Sequence, residues 1–257
     1  MNAIPLEQEI EYPTSDGQPM AETTLHREIM ADLIQGLKNR YAGTPDVWVG
    51  GNLFLCFEKG NPAACLAPDV LLAKGVSKWE RPNYLLWEET PPALVVEVTS
   101  RKTRREDLGK KKDKYERIGV EEYVLFDPYN EYLRPSLQGL RLEKGRYQPI
   151  PPQPDGSIVS RTTGLTFRRE GQRLRMVDTA TGEPLLWIDE IEESRVRAEA
   201  KIAEETRIRQ AAEARVAEET RARHAAEARA AAEAEARQDF EKRLRAIEEE
   251  LKRLRGT

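Results

Sequence analysis

Two short stretches decide how this chain folds: Leu66-Ala67-Pro68-Asp69-Val70-Leu71-Leu72 and Ala93-Leu94-Val95-Val96-Glu97-Val98. Both are apolar runs too short for buried helices and bounded by Pro, Gly or Lys, so each reads as a strand. Each carries one acid. A carboxylate in such a strand costs several kcal/mol unless it is paired, hydrogen-bonded or metal-bound, because burial disfavours its charged form. Two such costs in one chain point to a site, with a buried salt bridge as the plain alternative.

A third residue follows at once. Over Asp107 to Ile118, the spacing of Leu108, Tyr115 and Ile118 marks one helical face, and Lys111 falls on it. Its ammonium is expected to point inward, while Lys110 and Lys114 have freer access to solvent. An inward lysine needs an anion, and Asp69 and Glu97 are the candidates to share it, or to share a metal with it.

Working outward, helical periodicity begins near Thr23 and Thr24, with Leu25, Ile29, Leu33 and Leu37 along one stripe and Gly43 beyond its end. His26 stands beside that stripe, either packed or turned toward a site, and Glu22 and Glu28 read as ordinary first-turn charges. Val47-Trp48-Val49, Gly50-Gly51-Asn52 and Leu53 to Phe57 suggest a hairpin or two strand pieces with a tight reversal. The excursion from Gly75 to Pro92 holds Trp79, Tyr84 and Trp87, suited to covering a sheet edge or to touching a ligand. A strand is expected at Tyr123 to Phe126. Hairpins are expected at Leu137 to Leu142 with Tyr147 to Ile150, and at Leu165 to Phe167 with Leu174 to Val177.

Charge divides the chain. From Ile191 onward sixteen acids balance sixteen bases, so the earlier part holds 29 acids against 25 bases and carries the whole net charge of −4. That is not the balance of a protein coated in nucleic acid; such a partner would need a local patch. One exists. Arg101 to Lys114 contains eight basic residues against three acidic ones, beside the two strand acids, as phosphate-backbone recognition requires. Its candidate contacts are Arg101, Lys102, Arg104, Arg105, Lys110 and Lys114; a merely solvated helix face is the alternative.

The start of the sequence shows no basic-then-apolar leader, and no apolar stretch approaches the roughly 20 residues that span a membrane, so the expectation is a cytoplasmic protein with no membrane partner. Cys56 and Cys65 have no metal-type partner cluster and read as buried thiols in or near strands, with a disulfide or zinc as the alternatives.

Residues 1–20 form an irregular lead-in, 21–188 one mixed-sheet domain, and 189–257 a segment of Ala, Glu and Arg that reads as one long helix. Ile202 to Arg215 and Val216 to Arg229 are near-copies fourteen residues apart. Phe240, Leu244, Ile247, Leu251 and Leu254 make a coiled-coil seam, whereas the same register upstream carries Arg and Glu. The seam suits a homodimer or a partner helix; a solvated single helix held by charge pairs is the alternative.

Pro68-Asp69, Val95-Val96-Glu97-Val98-Thr99-Ser100, Thr103, Asp107-Leu108-Gly109 with Lys111, Tyr115, Gly119-Val120-Glu121-Glu122-Tyr123 and Asp127-Pro128 together resemble the Uma-type restriction endonuclease family. The resemblance extends more weakly from the His26 helix to about Glu190. It implies the α/β (α+β, mixed-sheet) restriction-endonuclease-like fold of the PD-(D/E)XK nucleases, with flanking helices. It implies Mg²⁺ or Mn²⁺ on strand carboxylates and phosphodiester hydrolysis in nucleic acid, DNA above all. On this sequence the implied metal ligands are Asp69, Glu97 and the Val98 carbonyl, and the catalytic set is Asp69, Glu97, Lys111 and His26. The nuclease pattern usually places lysine two residues after the second acid, where this chain has Thr99; Lys111 fits a lysine moved to the following helix, with Lys102 the fallback. The competing expectation is a binding or scaffolding protein that keeps the fold, associates through its coiled coil and cuts nothing.

Overall fold

The computed structural model describes residues 12–13 and 23–255. Apart from Tyr12 and Pro13, the lead-in over 1–20 lies outside them, as do Glu22 and the side chain of Leu254. The chain divides into two compact units, Met1–Glu192 and Glu193–Thr257.

The first unit is built on a six-stranded sheet in the order β1-β4-β6-β7-β8-β9. Its strands are β1 (Val47–Gly50), β4 (Val70–Lys74), β6 (Leu94–Val98), β7 (Glu122–Phe126), β8 (Leu137–Glu143) and β9 (Arg146–Pro149). β6 and β7 run parallel; the other neighbours are antiparallel, so the sheet is mixed, as expected. The parallel pair needs a crossover, and the basic helical segment between Arg104 and Ile118 supplies it. The antiparallel β8–β9 turn is tight: Lys144 and Gly145 both have positive φ, which fits the primed turn that hairpin twist favours.

Alternation along the strands makes two cores. Val70, Leu72, Leu94, Val96 and Val98 face helix α1 (Thr24–Arg40), whose Ile29, Leu33 and Leu37 are buried against them. A three-stranded sheet of β10 (Ile158–Ser160), β11 (Leu165–Glu170) and β12 (Arg173–Asp178) adds Phe167 and Met176 to this core. Leu71, Ala73, Val95, Tyr123 and Leu125 face the other way, onto Tyr115 and Leu55. There a second small sheet, β3-β2-β5, joins β3 (Cys65–Leu66), β2 (Phe54–Cys56) and β5 (Asn83–Leu85).

One open alternative is decided and one expectation changes. Of the hairpin and the two strand pieces, β1 and β2 are the two pieces, in different sheets, and Gly51 sits at the break because a Cβ there would come 2.0 Å from the Asp69 carbonyl oxygen. Cys56 and Cys65 are not free thiols: they face each other across β2 and β3 and form a disulfide. Antiparallel register brings their Cα atoms to 4.1 Å, a pairing that a nine-residue spacing alone does not reveal.

Helix α4 (Ile188–Arg255) runs from the end of the first unit through the second. Its first turn is held by Arg173 and Arg175 on β12. Arg173 pairs with Asp32 and Asp189, each at 2.6 Å; Arg175 pairs with Glu190 at 2.7 Å, and both guanidiniums stack on Trp187. Beyond that the helix is polar and exposed, laced by pairs such as Arg223 with Glu227.

Candidate active site

The site lies where β6 ends and where the chain enters β4. Strand alternation places Glu97, two residues after Val95, on the face of the sheet that meets Tyr115. Asp69 is not within a strand, as its apolar surroundings suggested; it immediately precedes β4, and its Oδ2 accepts the Val98 N–H at 2.7 Å. One strand's backbone thus fixes the other strand's acid. His26 Nε2, at the start of α1, lies 3.3 Å from the same oxygen. Thr23 caps this helix by accepting the His26 N–H, which holds the first turn in place.

Glu97 is 1% exposed. Lys111 Nζ donates to its Oε2 at 2.8 Å and the Tyr115 hydroxyl donates to its Oε1 at 2.8 Å. The inward lysine expected from helical spacing is therefore met by the strand acid.

Its helix is not regular. Asp107–Lys111 is one π-helical turn between α2 (Arg104–Glu106) and α3 (Lys112–Ile118). The wider turn shifts the face: Leu108, expected inside, is 42% exposed, and Asp107 is fully buried in its stead. Asp107 Oδ1 stands 3.3 Å from Lys111 Nζ. Sequence reading missed Asp107 as a site residue, although its place four positions before Lys111 is the ion-pair spacing of a helix.

Lys111 therefore faces Glu97 and Asp107 directly, with Asp69 also acting on it electrostatically. Burial alone would lower its pKa, but Glu97, Asp107 and Asp69 outweigh burial and raise it, so the ammonium stays charged. For Glu97, burial dominates and pushes the carboxyl up to about 8, Lys111 opposing while Asp69 and Asp107 reinforce. Burial also raises Asp107, against Lys111. Three carboxyl groups thus gather about one ammonium, Glu97 and Asp107 in contact with it and Asp69 acting through space.

Hard oxygen donors suit a divalent cation. Mg²⁺ uses one or two protein carboxylates and takes its remaining oxygens from water and substrate phosphates; Asp69 and Glu97 are the carboxylates that could supply that share. Among the described residues no group of three or more His, Cys, Asp or Glu is arranged to hold a metal.

The predicted phosphate contacts are less concentrated. Arg101, Lys102, Arg104, Arg105 and Lys110 are exposed around the start of the helical segment. Lys114 instead lies over the Phe57 ring at 5.4 Å, as Arg117 does at 5.7 Å, so its stem packs on the β2 side. Lys102, the fallback lysine, is exposed and shows no contact with either strand acid.

The sequence model of the family "Uma2: Putative restriction endonuclease" matches residues 2–176. Among solved structures, one described as "a putative nuclease belonging to DUF820 from Anabaena variabilis" is similar at 14% identity and a TM-score of 0.42, over 56% of this chain and 76% of that one. No curated protein matches the chain. With the family model spanning well over half its length, the chain belongs to the Uma2 family, the family described by that model as "Putative restriction endonuclease".

Proposed function

We propose that this protein is a Mg²⁺- or Mn²⁺-dependent endonuclease that hydrolyses phosphodiester bonds in DNA, with domain 21–188 carrying the site. The observation that carries the reading is Lys111 held 2.8 Å from Glu97, which together with Asp69 and Asp107 gives a charged cluster at one end of the parallel strand pair. Strongly perturbed groups with a specific charge partner are candidates for functional sites. Asp69, Glu97 and the Val98 carbonyl are the ligands for the metal. Bound there, it would supply Lewis-acid polarisation of the scissile phosphate and a nucleophilic water at neutral pH.

The chain's own residues do the rest. The Val98 N–H and His26 orient Asp69. Tyr115 and Lys111 hold the two Glu97 oxygens in a fixed direction. Lys111 is the cation that offsets charge gathering on the phosphoryl oxygens. Arg101, Lys102, Arg104, Arg105 and Lys110, with Lys114 at their edge, hold the backbone on either side.

The helical segment 189–257 joins two copies or a partner helix. Phe240, Leu244, Ile247 and Leu251 are exposed along α4 at steps of four, three and four. Two sites in a homodimer would cut both strands. Sedimentation of the full chain tests the homodimer: Leu244→Lys with Leu251→Lys should turn a dimer into a monomer, and a wild-type monomer refutes the homodimer and leaves the partner helix.

A second reading has its own support. Both Glu97 oxygens already have partners, Lys111 and Tyr115, as in a protein that binds nucleic acid and does not cut. The setting we propose is cytoplasmic, with no membrane partner. The Cys56–Cys65 disulfide weighs against it, since such bonds persist in oxidising compartments.

Cleavage of plasmid and single-stranded DNA with added Mg²⁺, comparing wild type with Asp69→Asn and Lys111→Ala, decides between the two readings. Cutting lost in both variants supports the nuclease; no cutting by wild type, with salt-sensitive binding retained, supports the non-cleaving protein.

A further inference from the structure

Beside edge strand β1 lies a cavity of about 450 Å³, lined by Trp48, Trp79, Arg81, Lys38 and Lys78 and by the backbone of Gly50 and Gly51. Its wall is a stack. The Arg81 guanidinium lies 4.6 Å from the Trp48 ring centroid and 4.7 Å from that of Trp79. Arg81 is 8% exposed; its Nη2 donates to the Ser77 carbonyl and its Nη1 pairs with Glu89, but its Nε is buried with no acceptor. Such an unmet donor costs about 1–3 kcal/mol, and Arg81 is one of the residues that line the cavity. Trp79, on the outer side of the stack, is 52% exposed.

Sequence chemistry builds this wall. A Cβ on Gly50 would come 2.3 Å from the Trp48 indole, so glycine lets that ring lie back along its own strand toward Arg81. Gly51, at the other end, abuts the Asp69 carbonyl. One residue of the lining is thus packed on the backbone of a candidate active-site acid.

We infer that this cavity is a binding groove for a single-stranded segment of nucleic acid, one base stacking on the open face of Trp79 and its phosphates meeting Lys38 and Lys78. The inference rests on the nucleic-acid reading above and deepens it. An aromatic face beside fixed cations is how single strands are held without sequence preference, because every base offers a π-face and every linkage a phosphate. A duplex hides its base faces in the stack. Lys78 is anchored by the Tyr41 and Ala42 carbonyls, so its charge is placed rather than mobile; Glu80, also in the lining, opposes an anion and sets the phosphates toward the lysines.

The test is fluorescence anisotropy of the full-length protein in EDTA, where no cleavage intervenes. The probes are labelled oligothymidylate and oligouridylate of roughly twelve nucleotides, within the span of such sites, and a duplex of the same length. Trp79→Ala should weaken both single-strand probes about tenfold, the loss expected for one stacked base, and leave duplex binding unchanged. Lys38→Ala should weaken them less and flatten the salt dependence. Trp79→Ala binding the single strands as wild type does, or wild type preferring the duplex, overturns the groove. Displacement of the probes by AMP at an equal concentration of nucleotide would assign the cavity to a free nucleotide and overturn the strand. Absent cleavage with a retained Trp79 effect would remove the nuclease and leave the groove standing.

Discussion

The Val98 N–H donates to Asp69 Oδ2 at 2.7 Å, so the acid entering β4 is tied to the residue that follows Glu97 on β6. Two candidate metal ligands therefore move as one unit. Gly51 supports that unit from the other side, pressed against the Asp69 carbonyl.

Gly51→Ala tests how rigid the unit must be. Its Cβ would lie 2.0 Å from the Asp69 oxygen and 2.9 Å from Ile34, so backbone has to shift. A cost of about 1–3 kcal/mol in stability is expected, as for other overpacked sites. Displacing Asp69 should also lower cleavage by roughly 10²-fold, since errors near 1 Å are that costly in a positioned site. Denaturant titration and a plasmid assay measure the two. Wild-type values in both would show that Asp69 is not held from this side.

Lys111→Met separates charge from packing. The substitution keeps an unbranched apolar stem and leaves Glu97 and Asp107 buried without their cation. Breaking a buried pair on one side costs about 3–5 kcal/mol. Glu97→Gln added to Lys111→Met should recover part of that loss, because the buried carboxyl left without its cation goes too. A double-mutant cycle on thermal or urea unfolding reads the coupling, and additive losses would mean the pair contributes nothing as a pair.

Much of this arrangement was legible in the sequence, and the failures share one cause. β6, β7 and the β8–β9 hairpin follow from apolar runs and turn residues, which are local signals. Lys111 was expected inward because helical spacing alone turns it there. Leu108 and Asp107 exchanged places because a π turn inserts an extra residue into the face, and nothing local announces it. Gly50-Gly51 imitates a hairpin turn; its actual duties are room for Trp48 and contact with the Asp69 carbonyl, both tertiary. The Cys56–Cys65 bond likewise depends on the register of β2 against β3. Long-range close approach was invisible, whereas periodicity was not.

The disulfide makes a measurable claim. Thiol titration of the unfolded, non-reduced protein should find no free thiols, because no cysteine is left over. Closing a loop of this size constrains the unfolded chain by about 2–3 kcal/mol, so reductant should lower stability by that much. Two titratable thiols in protein purified without reductant would show the bond absent.

Glu122 predicts acid sensitivity. This fully buried β7 carboxylate accepts from Arg141 Nε and the Thr162 hydroxyl, each at 2.7 Å, from the Arg161 N–H at 3.0 Å, and from the Ser160 hydroxyl. Burial by itself would raise its pKa, but the bonds from Ser160, Thr162 and Arg141 outweigh burial and lower it. A carboxyl whose folded pKa lies below its unfolded value of about 4.3 adds stability above that value, and the contribution is lost as pH falls through the folded pKa. Glu122→Gln should therefore cost about 3–5 kcal/mol at pH 7, by stranding Arg141. The gap to wild type should begin to narrow as pH falls past the unfolded value and should close only below the lowered folded pKa, where the wild-type carboxyl is neutral as well. Urea unfolding of both proteins at pH 7 and across that acid range measures it, and a gap that stays constant or widens on acidification would show that Glu122 is already neutral in the fold.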